Sequence, residues 1–120
     1  MLILLDHGTP RPLRAYLPSH TVHTAAQMEW DRLPDGRVLT MAEEAAYDLL
    51  ITPDQKIRHQ QNLAARGIAI LILMKNDWSL IRPCIDDINA TIDRIQPGEY
   101  IEVDIPMPPL EPYLGGEGNR

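Results

Sequence analysis

Three short segments of the chain are apolar at most of their positions, and each of them ends in a polar loop. The segments cover residues 1–5, 47–52 and 68–74. Apolar runs of this length, bounded by turn-forming residues, are typical of β-strands that are buried on both faces of a sheet. The pattern therefore predicts three central strands of a largely parallel sheet.

Segments with helical spacing lie between these strands. Thr9 and Pro10 are the residue types of a helix start, a capping hydroxyl followed by proline at the first helical position, and Pro18 marks the end of that helix. Asp35 is predicted as the N-cap of a helix over residues 37–46. Two more helices are predicted: one over residues 55–66 with a glycine C-cap at 67, and one from residue 76 or 77 to residue 95 with a start or kink at Pro83.

Two more polar segments complete the pattern. Residues 20–24 predict a short strand, and residues 99–105 alternate between apolar and polar positions, as expected for a half-exposed strand at a sheet edge. Because strands and helices alternate along the chain, we expect an α/β fold: a doubly wound, mostly parallel open sheet of about five strands with helices on both faces. This domain is predicted to span residues 1–105, followed by a Pro/Gly-rich C-terminal tail over residues 106–120.

Composition narrows the classes of function. The 120 residues include 17 acidic and 11 basic side chains, a net charge of −6, which argues against nucleic-acid binding through bulk positive charge. The longest uninterrupted apolar run, Ile68–Met74, is far shorter than the roughly 20 residues of a membrane-spanning helix. The segment Met1–Leu5 meets Asp6 without a basic leader, so no secretory signal is expected, and the single Cys84 fits a reducing, cytoplasmic environment.

Acidic residues follow two of the predicted central strands. Asp6 follows the first strand, and Asp54 follows the strand that ends at Thr52. Ligands bind beyond the carboxyl ends of the strands in open parallel sheets, so the two carboxylates are candidates for one site. A structural role is the alternative for both, since loop aspartates also cap helices and form turns.

A third carboxylate depends on a helix boundary. Asp35 would point towards the same edge of the sheet only if its helix begins there, and it is otherwise an ordinary N-cap. If the boundary differs, Glu29 or Asp31 takes its place.

Clustered carboxylates repel one another unless a cation lies between them. Oxygen ligands without cysteine suit a hard ion such as Mg²⁺ or Mn²⁺, which binds a phosphodiester oxygen and activates a water molecule. Basic residues near the same edge would bind the substrate: Arg11 and Arg14 on the first helix, and Lys56 and Arg58 after Asp54. The alternative for these four residues is an ordinary solvated helix surface.

Two parts of the chain resemble a known protein family. The segment Leu4–Leu13 (LLDHGTPRPL) is similar to the opening of short PIN-like proteins, in which a strand ends in Asp and a Pro-x-x-Leu helix follows. Asp35, the alanines of the next helix and Leu49–Asp54 (LLITPD) are similar to the family's Asp…Ala…Leu-hydrophobic-Thr-x-Asp segment. The resemblance covers residues 4–63 and continues loosely to the strand at 68–73.

The resemblance implies a doubly wound α/β nuclease that cleaves RNA with Mg²⁺ or Mn²⁺ held by carboxylates. Carried over by position, Asp6, Asp35 and Asp54 correspond to the catalytic, metal-binding carboxylates, and Thr52 to the threonine that hydrogen-bonds near the site. Many PIN proteins are toxins of prokaryotic toxin–antitoxin pairs, so the resemblance implies RNA as substrate and an antitoxin protein as partner. A homodimer through the edge strand or the residues near Trp30 and a monomer are equally compatible with the sequence.

Two positions depart from the family pattern. His7 stands where related proteins often have an acid after the first Asp, and Lys56 stands where a second acid often follows the strand-end Asp. A lysine beside the carboxylates would neutralise them without a metal, or would bind phosphate. A catalytically degenerate PIN-like interaction protein is therefore the alternative to a nuclease.

A phosphoacceptor receiver domain is the third candidate. That class shares the alternating α/β pattern and the Asp after its third strand, but it requires paired acids after strand one and a Lys after strand five. In this chain Asp6 is followed by His7, and Ile105 is followed by Pro106 and Met107.

Overall fold

Five short strands form one sheet in which every neighbouring pair is parallel. The computed structural model describes residues 1–34, 36–59 and 66–107. In spatial order the strands are β2, β1, β3, β4 and β5. Their bounds are β1 Leu2–Leu5, β2 Thr21–Thr24, β3 Leu49–Thr52, β4 Ala69–Leu73 and β5 Tyr100–Val103. The predicted α/β architecture with a parallel open sheet is confirmed.

The three apolar segments form the centre of the sheet. Every residue of β3 and β4 is buried, because helices cover both faces of the strands. The more polar β2 and β5 lie at the two edges, as the alternating pattern of residues 99–105 predicted for β5. Alternation of polarity along the sequence thus distinguishes β5 from the central strands.

Successive side chains of each strand enter two separate cores. On one face, Ile3, Ile51 and Leu71 pack with Ile88 and with other apolar residues of the segments 11–17 and 81–95. On the other face, Leu4, Leu50 and Ile70 pack with Ile57 and with Leu39 and Ala42, which lie in the helix over Arg37–Glu44. The sheet is therefore the middle layer of three.

The first helix differs in type from the expectation. It is a 3₁₀ helix over Arg11–Tyr16, and Pro10 occupies its N-cap position without a side-chain hydrogen bond. The prediction that Thr9 caps this helix was wrong: its hydroxyl instead donates a hydrogen bond to the carbonyl of Ile51, at 3.1 Å. Thr9 thus holds the loop after β1 against β3.

The helix α1, Arg37–Glu44, has Gly36 as its N-cap, so the prediction of Asp35 in this role was wrong. Gly36 has a φ of 86°, a left-handed conformation that side chains disfavour and glycine adopts readily. The helix nevertheless begins at Arg37, as predicted, and it ends at Glu44, two residues before the predicted end. Asp35 itself lies outside the described residues.

The long helix expected to end at Ile95 is divided. It consists of α2 over Trp78–Ile81, a 3₁₀ turn over Arg82–Cys84 and α3 over Ile85–Arg94. Asp77 is the N-cap of α2, as expected, because its carboxylate accepts a hydrogen bond from the Ser79 amide at 2.9 Å. Pro83 lies in the 3₁₀ turn, where its missing N–H prevents a continuous helix.

The segment after β3 begins as a 3₁₀ helix over Gln55–His59. Most of the rest of the helix predicted over 55–66 falls on residues 60–65, which lie outside the described residues, as does the tail from residue 108 onwards. Among the helices that are described, no helix is long and apolar enough to cross a membrane.

Candidate functional site

The loops after β1 and β3 meet at one point of the sheet edge. In a sheet with the order 2-1-3-4-5, the direction of winding reverses between β1 and β3, and ligands bind in the crevice that this reversal leaves at the carboxyl ends of the strands. Asp6 follows β1 directly, and its amide donates a hydrogen bond to the Ile51 carbonyl at 2.9 Å. The first candidate residue is thus held by the sheet itself.

Thr52 connects the two aspartates. Its side chain is fully buried, and its hydroxyl donates a hydrogen bond to Oδ2 of Asp6 at 2.8 Å. The same hydroxyl accepts a hydrogen bond from the amide of Asp54 at 3.0 Å. One threonine therefore orients the carboxylate of one loop and the backbone of the other.

A close approach of the two loops supports this arrangement. Gly8 has a φ of 89°, and a side-chain carbon at this position would lie 3.2 Å from Cγ of Pro53. Both the backbone conformation and the narrow gap favour glycine. The loop after β1 is thus fitted to the loop after β3.

The carboxylate of Asp6 lies in an environment that disfavours its charge. Burial is the largest effect and raises the pKa of Asp6, while the hydrogen bonds from the Thr52 hydroxyl and the His7 amide act in the opposite direction. The negative charge of Asp54 raises the pKa further, and His7 lowers it slightly. The two carboxylates are close enough to repel each other, so a cation between them would stabilise both.

Asp54 also forms a turn, which was the structural alternative to a role in the site. Its Oδ1 accepts a hydrogen bond from the amide of Lys56 at 2.9 Å, which closes a short turn at the start of the 3₁₀ helix Gln55–His59. The turn directs the chain so that Lys56 lines the same pocket as Asp6 and Asp54. The two explanations for Asp54 are therefore compatible.

These side chains line a pocket of about 250 Å³, which we name the acidic pocket. Asp31, which the sequence offered as a substitute for Asp35, is also part of its wall. The remaining lining is largely apolar: Trp30, Leu33, Pro34, Val38, Leu39, Leu50 and Ile57. A smaller pocket of about 140 Å³, the Arg11 pocket, adjoins it along Asp6, His7 and Asp31.

The four predicted basic residues do not lie together. Lys56 lines the acidic pocket, and Arg11 lines the adjoining Arg11 pocket. Arg14 lies farther along the same side, beside Arg11 and Thr24. Arg58 lies towards β5, where its guanidinium is 3.6 Å from the carboxylate of Glu102 and hydrogen-bonds to Gln55.

The donor set of the site is two carboxylates with a third nearby. Within residues 1–34, 36–59 and 66–107, no group of three His, Cys, Asp or Glu side chains is arranged to hold a metal ion. Mg²⁺ is commonly bound by one or two carboxylates with waters and substrate phosphate oxygens completing its shell, and Asp6 and Asp54 satisfy that requirement. Their oxygen donors suit Mg²⁺ or Mn²⁺ better than a thiolate-preferring metal.

Trp30 is the feature of the site that residue patterns did not identify. Trp30 packs against the core, the ordinary role of a tryptophan, and it also forms part of the pocket wall beside the aspartates. Its position depends on the left-handed backbone conformation of Glu29, which no residue pattern in the sequence predicts. Comparisons of this chain with protein-family models, with curated proteins and with solved structures found no match.

Proposed function

We propose that the protein is a metal-dependent nuclease, most simply a ribonuclease, that cleaves phosphodiesters at the acidic pocket. The observation that carries the proposal is that the Thr52 hydroxyl hydrogen-bonds both to the carboxylate of Asp6 and to the backbone amide of Asp54, at the point where the winding of the sheet reverses. The raised pKa of Asp6 adds support, because a buried carboxylate next to a second one binds a cation more readily than a solvated one does.

Asp6 and Asp54 would hold the Mg²⁺ or Mn²⁺, which when bound would orient and activate a water for attack on the phosphodiester and would offset charge on the leaving oxygen. Thr52 keeps the carboxylate of Asp6 aimed into the pocket, since its hydroxyl hydrogen-bonds to Oδ2. Asp35, which the family resemblance assigns to the same set, is part of the proposal as a third carboxylate.

Lys56 and Arg11 would bind the phosphates of the substrate on either side of the carboxylates. Lys56 lines the acidic pocket and Arg11 the adjoining one, so a strand that passes Asp6 meets a cation in each direction. These two side chains give an acidic protein a local electrostatic attraction for a polyanion.

One observation favours the alternative, a catalytically degenerate binding protein. Lys56 shares the acidic pocket with Asp6 and Asp54, so its ammonium group can supply the positive charge that a metal ion would otherwise supply. In that case Mn²⁺ does not raise the melting temperature of the wild-type protein, whereas the Lys56→Met protein, with the lysine removed, gains affinity for the ion.

The strand order 2-1-3-4-5 is compatible with a receiver domain, but this order is common to several doubly wound classes and does not favour that one. Asp6 is followed by His7, whose amide donates to the aspartate, rather than by a second acid. Ile105 after β5 is buried, and no lysine follows it in the described residues.

The test is cleavage of an end-labelled single-stranded RNA with Mn²⁺, Mg²⁺ or a chelator. We expect metal-dependent cleavage by the wild-type protein and its loss in Asp6→Asn and Asp54→Asn. Asp93→Asn is the matched control, because Asp93 is an exposed acid on α3. Cleavage that persists in both site variants, or that needs no metal, contradicts the proposal.

The toxin assignment has its own test. If the protein is the toxin of a toxin–antitoxin pair, its expression in a bacterium arrests growth, Asp6→Asn relieves the arrest, and co-expression of the adjacent gene restores growth. Equal arrest by the wild type and Asp6→Asn contradicts a role for the acidic pocket in toxicity.

A further inference from the structure

The acidic pocket has an apolar wall that the proposed chemistry leaves unused. Trp30, Leu33 and Ile57 belong to this wall, next to the carboxylates. A metal-binding site for phosphate alone needs oxygen donors and cations but no aromatic ring. The combination of a charged part and an apolar part in one pocket matches a ligand that has both.

The backbone before Trp30 is strained in a way that sets its position. The amide of Trp30 donates to the Ala25 carbonyl at 2.8 Å, and the amide of Glu29 donates to the Ala26 carbonyl at 3.0 Å. This is the pattern of a Schellman motif, with Glu29 in the left-handed conformation at a φ of 61°. Left-handed conformations are unfavourable for residues other than glycine, so Trp30 is placed at an energetic cost.

The same motif occurs at the end of α1 and ends in the aromatic partner of Trp30. Ala46 has a φ of 64°, and the amide of Tyr47 donates to the Ala42 carbonyl at 3.0 Å. The rings of Trp30 and Tyr47 are edge to face, with centroids 6.1 Å apart. The hydroxyl of Tyr47 is in turn hydrogen-bonded to Nδ1 of His23 at 2.8 Å.

Trp30 is therefore held in place from the inside of the protein while it remains half-buried at the pocket. A ring that is already ordered loses little conformational entropy when a ligand stacks on it. Aromatic platforms beside phosphate-binding groups are how proteins bind the unpaired bases of single strands.

We propose that Trp30 is a base-stacking residue, against which an unpaired nucleobase of the substrate strand binds while the neighbouring phosphate lies at the divalent ion that Asp6 and Asp54 would hold. This inference rests on the proposed function, because it assigns the substrate to that pocket. It makes Trp30 a specificity-determining residue: the site selects strands with an accessible base over other polyphosphates.

The test uses the fact that the chain has only two tryptophans. In a Trp78→Phe protein, Trp30 is the sole indole emitter, and Trp78 packs near Tyr16 and does not line the acidic pocket. The protein is titrated in Ca²⁺ with an oligouridylate and, separately, with inorganic polyphosphate of the same number of phosphates. We expect quenching of Trp30 emission by the oligouridylate alone.

The affinity is then measured by the anisotropy of a fluorescein-labelled oligouridylate. Trp30→Phe retains binding, whereas Trp30→Leu weakens it about tenfold, the effect of losing one stacked base. If Trp30→Leu fails to fold, an abasic nucleotide placed at successive positions of the oligonucleotide gives the same loss with the wild-type protein.

Equal binding of polyphosphate and oligouridylate, or an unchanged Kd when Trp30→Leu is folded, overturns the stacking proposal. Failure of the nuclease proposal has a different signature: base-dependent binding at Trp30 without any metal-dependent cleavage. Cleavage with no dependence on Trp30 or on the base leaves the nuclease and removes the stacking residue.

Discussion

At the scale of single residues, the protein holds groups at and behind the site in environments that oppose their charge or their backbone conformation. Burial and the charge of Asp54 raise the pKa of Asp6, and Ala46 has a left-handed backbone conformation that is unfavourable for alanine. Such features lower stability, and they persist because the surrounding sheet and loops hold them in place. A substitution that removes the unfavourable charge or the unfavourable backbone conformation tests each of these two features.

Asp6→Asn is expected to remove activity without lowering the free energy of unfolding at neutral pH. Since the pKa of Asp6 is raised above its ordinary value of 3.8, the native protein binds more protons than the unfolded chain between these two pKa values. The Asp6 contribution therefore becomes less unfavourable as the pH falls. Urea unfolding should show the variant most favoured over the wild type near pH 7, with the gap closing on acidification; a gap that widens on acidification contradicts the assignment.

Ala46→Gly is expected to stabilise the protein by about 1 kcal/mol, because glycine adopts the left-handed conformation without the steric cost that alanine has. Ala45 is the matched control: it is also exposed, but its φ of −85° suits alanine. Ala45→Gly should be neutral or destabilising by less than about 1 kcal/mol. Urea midpoints of the two variants decide the matter, and a destabilised Ala46→Gly would refute the strain at this position.

At the scale of elements, short strands and 3₁₀ segments are held by their neighbours rather than by their own propensity. Within the part of the chain that the structure describes, β5 pairs with one strand, β4, and side-chain contacts connect it to the segment after β3. The hydroxyl of Tyr100 donates to Glu102 at 2.8 Å, and Glu102 lies 3.6 Å from Arg58. Arg58 thus belongs to the edge of the sheet.

The pKa of Tyr100 provides a test of this edge. Burial first, and then the hydrogen bond to Glu102, raises its pKa to about 12. The unfolded chain would release this proton near the ordinary value of 10, so the Tyr100 contribution to stability is present below that pH and is lost as the pH rises towards the raised value. Tyrosinate absorbance of the wild type minus that of Tyr100→Phe should titrate near the raised value; titration near the ordinary one contradicts the contact.

At the scale of the whole molecule, the site exists because the winding of the sheet reverses between β1 and β3. The loops that follow these strands meet there, and each brings one aspartate. The two halves are more than 40 residues apart in the chain, since Asp6 and Thr52 have a separation of 46. The protein as a whole has a net charge of −6, so the attraction that Arg11 and Lys56 provide for a polyanion is local to the site.

Arg11→Gln and Lys56→Gln are each expected to weaken oligonucleotide binding and to reduce the slope of log K against log salt by about 0.7, the value for one phosphate contact on a single strand. Arg58→Gln is the control, because Arg58 lies near Lys56 in the chain but interacts with Glu102. Anisotropy titrations over a range of salt concentrations give the slopes. A slope that falls in Arg58→Gln but not in Lys56→Gln would contradict the proposal that the substrate strand passes Asp6.

Much of the architecture followed from local pattern. Burial on both faces makes β1, β3 and β4 apolar at nearly every residue, and partial exposure makes β5 alternate, so the strands and their central or edge positions were predictable. Helix types and boundaries were less so. The 3₁₀ form of Arg11–Tyr16 and the cap at Gly36 depend on contacts and φ values that residue type does not specify.

The residues alone placed Asp6 and Asp54 after central strands, because the position of a strand end is a local property of the chain. Folding joined them through Thr52, added Asp31 and Trp30 to the same wall and directed Arg58 to β5. The strand order brings the loops after β1 and β3 together, and the left-handed residues Glu29 and Ala46 directly precede Trp30 and Tyr47. Hydrophobic periodicity reports which side chains are buried, whereas the distances between side chains far apart in sequence are set by how the buried surfaces pack together.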